Sequence, residues 1–257
     1  MTELTVVSLN LHGGQRTRRI STPRLRRRRV PPATASSNGA FDVARVLRSF
    51  DADVLVLQEA WWPDHTAADV DVIATECGRT VHSASFGRGI VDPWPHIIST
   101  RRDRARGRLG IAVVSRPPAR LVNTIPVGDA RGDPAIERCA LHVALDVDGH
   151  ELDLVAIHLS SRLPYAPPMQ LRSLRPQLPP PERRTVLVGD FNLWGPAVTA
   201  MLPGWRRAVR GRTWPAHRPH SQIDHVLVRD DVEVVEAAVL DEVGSDHRPV
   251  RATLRLP

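Results

Sequence analysis

Short apolar runs that stop on a polar residue recur from one end of this chain to the other. They span residues 4–9, 53–57, 109–115, 140–147, 152–158, 185–189, 223–228 and 248–254. Each is rich in Val, Leu and Ile and is bounded by Gly, Pro, Asp or Asn, which is how strands read. A chain built this way must pair its strands into sheets. Val147-Asp148-Gly149-His150 predicts a hairpin turn, because Asp-Gly tolerates the positive φ angles such turns need. Helical patterns are fewer. Residues 40–50 place Val43, Val46, Leu47 and Phe50 on one face, and 64–77, 165–174 and 196–202 are weaker candidates. Many strands with interspersed helices predict a mixed α/β sandwich. No internal repeat or long composition shift marks a second unit, so residues 1–257 read as one domain.

Several classes are excluded early. Hydrophobic residues make up 42% and charged residues 25%, ordinary for a soluble globular chain. No apolar run approaches the roughly 18 residues of a membrane-spanning helix. Met1 to Val7 lead straight into a strand pattern, without the basic start and apolar stretch of a signal peptide, so a cytoplasmic location is expected. A monomer is expected as well. Cys77 and Cys139 are too few for a disulfide framework or a thiolate zinc site.

The formal net charge is +7, and every basic residue is arginine. Residues 16–29 hold eight arginines and no acid, a contribution of +8. Residues 101–108 contribute +4, and taking both away from +7 leaves −5 elsewhere. The basicity therefore sits in two loops, 13–39 and 87–108. Such patches face phosphate polymers or anionic lipid, or stand as solvated surface. The first is also rich in Pro and Ser, and a flexible loop is expected there. A third loop, 176–184, contains Pro179-Pro180-Pro181, which excludes helix and strand interiors.

The residues that end the apolar runs carry chemistry. Asn10 follows Val6-Val7-Ser8-Leu9, and Gln58-Glu59 follow Val54-Leu55-Val56-Leu57. His158 follows Leu154-Val155-Ala156-Ile157, and Asp190 and Asn192 follow Val186-Leu187-Val188-Gly189. Asp224 opens a Val/Leu strand, and Ser245-Asp246-His247 precede another. Taken singly, these read as turn residues, a helix start or a structural histidine. Together they would converge at one sheet edge as a cleft of oxygen and imidazole groups.

In this order the motifs resemble the endonuclease/exonuclease/phosphatase superfamily, the group of DNase I, exonuclease III type abasic-site endonucleases, neutral sphingomyelinases and inositol polyphosphate 5-phosphatases. They are Ser8-Leu9-Asn10, Leu57-Gln58-Glu59, Ile157-His158-Leu159, Gly189-Asp190-Phe191-Asn192, Ile223-Asp224-His225 and Ser245-Asp246-His247-Arg248-Pro249. The resemblance implies a four-layer DNase I-like sandwich, two β-sheets face to face with helices outside and the site at one end. It implies Glu59, Asn10 and Asp246 on the metal side, and Asp190 orienting or deprotonating the attacking water. Asn192 and His247 would meet the scissile phosphate, with Asp224 fixing the His247 tautomer. His158 matches the histidine of the DNase I and sphingomyelinase branches. Hard oxygen ligands select Mg²⁺ or Mn²⁺, and the cation neutralises charge building on the phosphate.

Two departures stand out. The abasic-site branch carries a Trp-x-Tyr-Arg motif where this chain has Thr213-Trp214-Pro215-Ala216-His217-Arg218-Pro219-His220. The family's first strand often ends Asn-x-Trp, whereas this one ends Asn10-Leu11-His12 and changes the pocket rim. For substrate, the expectation is a nuclease acting on DNA or RNA. Arg26, Arg27 and Arg28 would track the backbone, and Trp61, Trp62, Trp194 or Trp214 would stack on bases. The alternative is a phosphatase or phosphodiesterase for a lipid headgroup, inositol phosphate or other small phosphoester.

Overall fold

The computed structural model describes residues 2–14, 41–86, 107–133, 135–229 and 231–256. Arg26, Arg27 and Arg28 lie outside them, as does most of each expected basic loop. Along the described chain the elements are β1 (Thr2–Asn10), α1 (Val43–Ser49), β2 (Val54–Pro63), α2 (Asp69–Glu76), β3 (Thr80–Ser85) and β4 (Gly107–Ser115). There follow β5 (Ala119–Pro126), β6 (Cys139–Val147), β7 (His150–His158), α3 (Ala166–Leu174), β8 (Thr185–Asp190) and α4 (Gly195–Met201). The chain closes with β9 (Arg206–Arg207), β10 (Asp224–Val228), β11 (Glu233–Val239) and β12 (Val250–Leu256).

The strands form two six-stranded sheets, ordered β11-β12-β1-β2-β4-β3 and β5-β6-β7-β8-β10-β9. Only β1–β2 and β7–β8 pair in parallel. One apolar cluster fills the space between the sheets, with Val6, Val56, Val113, Leu154, Val188 and Val226 among its fully buried members. A second packs α1 and α2 on the outside of the first sheet, and a third packs α3 and α4 outside the other. The architecture is the four-layer DNase I-like sandwich. Inner strands such as β7 and β8 are covered on both faces and read as continuous apolar runs, while β12 alternates buried and half-buried residues.

The local signals hold where they are strong. The β6–β7 hairpin turns through Asp148 and Gly149, both at positive φ. Asp42 caps α1 by accepting a hydrogen bond from the Arg45 N–H. The 87–108 loop ends earlier than expected, since Gly107 and Arg108 already pair with Pro63 and Trp62 of β2. β3, β5, β9 and β11 are not among the runs expected as strands, and all four are sheet edges.

Candidate active site

Strand alternation assembles the site. Successive side chains on a strand point to opposite faces, so a residue two beyond a core residue shares its face. On β7, Leu154 and Ala156 belong to the inter-sheet core and His158 follows in phase. On β8, Val186 and Val188 lead to Asp190, and on β10 Asp224 precedes Val226 and Val228. On β1, Leu4 and Val6 set the phase that delivers Asn10. β7 and β8 run parallel, pairing His158 with Asp190. β10 runs against β8, so its first residue pairs with the last of β8, Asp224 with Asp190. β12 likewise runs against β1, which brings residues 245–247 to the same end. The Ser245 hydroxyl fastens that loop by donating to the Asn10 carbonyl at 2.6 Å.

Three positions depend on special backbone. Glu59 sits at φ 50° where the β2–β4 register slips between Gln58 and Ala60. A bulge of this kind re-aims a side chain, and here it turns Glu59 into the cleft. Asn192, at φ 47°, uses the left-handed conformation that Asn tolerates. Gly189 must be glycine, because a Cβ there would fall 2.0 Å from the Ile157 carbonyl oxygen.

The polar groups then meet. Asn10 Nδ2 donates to Glu59 Oε1 at 3.2 Å and to Asp190 Oδ2 at 3.1 Å. His158 Nε2 lies 3.8 Å from the same two oxygens. Asp190 Oδ1 accepts from the Asn192 N–H at 2.8 Å, and Asn192 Nδ2 donates to the Leu159 carbonyl. His247 Nδ1 lies 2.9 Å from Asp224 Oδ2, and its Nε2 faces Asp190 Oδ2 at 3.8 Å. Asp190, Asp224 and His247 thus offer ligand atoms within 4.8 Å of one another. Because His247 Nδ1 is committed to Asp224, the trio reads first as a carboxylate–imidazole–carboxylate chain.

Burial sets the charges. It drives the Asp190 carboxyl up to about 7, with the Asp224 charge adding to the rise and His247 opposing it. Burial also works against an imidazolium at His247, but Asp224, Asp246 and Asp190 outweigh it and hold His247 well above its ordinary range. His158 goes the other way. Burial, then the charges of Arg138 and His247, push it well below 6.5 and keep it neutral. Asp246 is held low despite burial by His247, His12 and the Trp214 N–H.

Each expected site residue within the described chain reaches this end of the molecule. Glu59, His158, Asp190, Asn192, Asp246 and His247 line a cleft of about 330 Å³, and Asn10 and Asp224 stand directly behind them. On the metal side the donor set fits a hard divalent cation. Glu59 Oε1 and Asp190 Oδ2 face the same Asn10 amide and the same neutral His158 imidazole, and Asp190 Oδ2 also faces His247 Nε2 at 3.8 Å. Asn10 presents its nitrogen to them, so it must turn over to become a ligand. Asp246 is already engaged, Oδ1 by His12 Nδ1 at 2.7 Å and Oδ2 by Trp214 Nε1 at 3.4 Å. Trp214 is therefore half-buried and tied to a site carboxylate, whereas Trp194 is 66% exposed on the cleft rim. Trp61 and Trp62 are half-buried on β2.

Three participants, His12, Arg138 and Asp133, are not among the site residues that the sequence marks. His12, expected at the pocket rim, is a buried partner of Asp246, and the Asn10-Leu11-His12 departure is its signal. Arg138 and Asp133 form a buried pair at 2.8 Å in the cleft wall, where Arg138 also donates to the His158 carbonyl. Nothing in their spacing marks them.

The model of the Endonuclease/Exonuclease/phosphatase family matches residues 7–247. This chain belongs to that family. Its enzymes hydrolyse phosphoesters and generally depend on a divalent metal, and the chain is a hydrolase of that class. The fold agrees with solved members. An endonuclease/exonuclease/phosphatase from Beutenbergia cavernae superposes at TM-score 0.70 with 22% identity, covering 100% of this chain and 72% of its own. A mannosyl-6-phosphatase from Bacteroides thetaiotaomicron gives 0.66 at 15%, covering 98% and 100%. A humanised D. rerio TDP2 gives 0.65 at 17%, covering 99% and 100%. No curated protein sequence matches the chain. No helix among the described residues is long and apolar enough to cross a membrane.

Proposed function

We propose that this protein is a one-domain, monomeric nuclease that cleaves phosphodiester bonds of DNA or RNA with the help of Mg²⁺ or Mn²⁺. The observation that carries the reading is the arrangement of two buried groups: Asp190 Oδ2 lies 3.8 Å from His247 Nε2, while Asp224 holds His247 Nδ1 at 2.9 Å. Burial raises the Asp190 carboxyl to about 7, and the surrounding carboxylates hold His247 above its ordinary range. A base whose pKa lies near the working pH both holds and releases a proton efficiently. Asp190 takes the proton of the attacking water, and the Asn192 N–H and Asn10 keep the carboxylate aimed. His247 donates from Nε2 to a phosphate oxygen, where charge builds as water attacks. Asp224 fixes the tautomer by holding Nδ1. Asn192 keeps one amide hydrogen for the phosphate after its bond to Leu159. Neutral His158 adds a hydrogen bond without adding charge. Glu59, with Asn10 and Asp246 on the same side, would hold the cation, which neutralises the phosphate when bound.

The nucleic-acid reading rests on the arginine-rich composition and on Trp194, an exposed indole at the cleft rim. A small phosphoester is the second reading, favoured by the similarity in fold to a mannosyl-6-phosphatase. The test is hydrolysis of plasmid DNA, single-stranded DNA, RNA, bis-p-nitrophenyl phosphate, sphingomyelin and inositol phosphates, each with EDTA, Mg²⁺ or Mn²⁺. Cleavage of nucleic acid that EDTA abolishes and either metal restores is expected. Full activity after exhaustive chelation contradicts the metal, and hydrolysis confined to small or lipid substrates contradicts the nuclease.

A further inference from the structure

Residues 191–223 contain five arginines, Arg206, Arg207, Arg210, Arg212 and Arg218, and no Asp or Glu. Apart from the two expected basic loops, the rest of the chain is acidic on balance, so this stretch is a local reversal. It is also one flank of the cleft. It begins beside Asp190, includes α4 and β9, and returns through Trp214, Ser221 and Ile223, which line the cleft.

What sets this flank apart is that residues 191–223 hold no acid of their own; elsewhere many arginines are paired, although among the described residues others such as Arg79 and Arg131 are not. Arg48, Arg116, Arg120, Arg138, Arg183, Arg251 and Arg255 each meet a carboxylate. Among the described residues Arg207, Arg210, Arg212 and Arg218 meet none. Arg210, Arg212 and Arg218 are exposed. Arg207 is held in place, its Nη1 donating to Gln222 Oε1 at 3.2 Å. The same oxygen accepts from the Gly211 N–H. The Arg207 guanidinium packs on Gly195 so closely that a Cβ there would fall 1.9 Å from Nη1. Gly195 follows Trp194, whose indole is 66% exposed at the cleft rim. Arg207 also feels the charge of Arg210, which with burial lowers its pKa. An exposed aromatic face at the mouth of the cleft therefore stands beside Arg207 and Arg210, and Arg212 and Arg218 are exposed on the same acid-free segment.

We propose that this flank, Trp194 with Arg207, Arg210, Arg212 and Arg218, binds the strand of a nucleic acid that leaves the cleft, phosphates on the guanidinium groups and a base on the indole. The inference rests on the nuclease reading above and names the surface that reading uses. One phosphate in the cleft has no need of four further cations, whereas a nucleic-acid strand repeats its charge every few ångströms. A flat indole accepts any base. Peripheral attachment to a bilayer commonly uses an amphipathic helix, and the cations here sit on a two-residue strand and loops.

The experiment combines Arg210→Ser, Arg212→Ser and Arg218→Ser, with the three single variants as a fallback if the triple variant does not fold. Binding of a fluorescent single-stranded oligonucleotide is measured in EDTA over a salt series, beside turnover of bis-p-nitrophenyl phosphate in Mg²⁺. The triple variant is expected to bind at least tenfold more weakly at low salt. Its slope of log affinity against log salt should be flatter by about two units, since each single-strand phosphate contact contributes about 0.7. Small-diester turnover should stay within twofold. Trp194→Ala should weaken binding about fivefold or more with little change in salt slope, and Trp194→Phe should restore most of it. If the wild-type protein cleaves nucleic acid but the arginine variants keep its affinity and slope, the flank is overturned and the nuclease reading stands. If the wild-type protein neither binds nor cleaves nucleic acid, both fall. Binding to phosphatidylserine vesicles that the triple variant loses, without oligonucleotide binding, overturns the proposal in favour of a membrane surface.

Discussion

In both sheets the strands with two neighbours and the strands at the rim have been given different work. β1, β2, β4 and β12 are interior to one sheet, and β6, β7, β8 and β10 to the other. β8 is buried along its whole length, while edge strand β5 is exposed over most of its own. Asn10, Glu59, His158, Asp190 and Asp224 all lie on interior strands, and His247 lies just before one. A strand hydrogen-bonded on both sides and packed on both faces cannot shift without disturbing its neighbours. That rigidity is what a buried set of charges needs to keep its geometry, and a rim strand does not offer it.

The largest effect expected from this contrast is on stability, with one residue type tested in two places. Leu154, fully buried on β7, and Leu121, 45% exposed on edge strand β5, are each changed to alanine. The first should cost about 2–5 kcal/mol in urea or thermal unfolding, and the second about 0.5 kcal/mol or less. Equal costs would mean that interior and rim strands are not distinguished as described.

The same contrast decides what was legible in the sequence. The eight runs read as strands correspond to the eight interior strands; most, such as β8, are buried on both faces and leave an unbroken apolar stretch, while β12 shows instead a clean alternation of buried and half-buried residues. The four strands that escaped are the four rims. β11 carries Glu233 and Glu236, and β5 exposes Leu121 and Val122, so neither shows a clean run or a clean alternation. At the site, residues that continue a strand in phase were visible as polar ends of apolar runs. Glu59 is in the cleft only because β2 bulges, and periodicity alone would aim it outward. The pairing of His12 with Asp246 and of Arg138 with Asp133 comes from loops that meet in space, which no run or spacing encodes.

A second effect, up to about 3 kcal/mol, concerns a histidine of opposite phase on interior strand β10. His225 points away from the cleft, donates from Nε2 to the Leu193 carbonyl at 3.0 Å and packs edge-on against Phe191. Burial pushes its pKa down from 6.5 to about 4. The unfolded chain takes up a proton near 6.5 that the folded imidazole refuses until about pH 4. Stability therefore falls as pH drops through that window and is untouched by this group above about pH 7. His225→Gln, which keeps an N–H for Leu193, should flatten the pH dependence of unfolding between 6.5 and 4. An unchanged slope would mean His225 already titrates freely in the fold.

The proposed role of the buried cluster at the ends of the interior strands is to perform the hydrolysis. That role is tested by the turnover of bis-p-nitrophenyl phosphate in Mg²⁺ or Mn²⁺ by His247→Ala and Asp190→Ala, beside their melting temperatures without metal. The rate should fall about a hundredfold or more in each, the usual cost of losing an acid–base or charge-stabilising group. The melting temperature of Asp190→Ala should stay near that of the wild-type protein or rise, because removing one carboxylate relieves repulsion with Glu59 and Asp224. His247→Ala should still fold. Near-normal rates in both variants, with melting far below wild type, would make these residues structural and contradict the account.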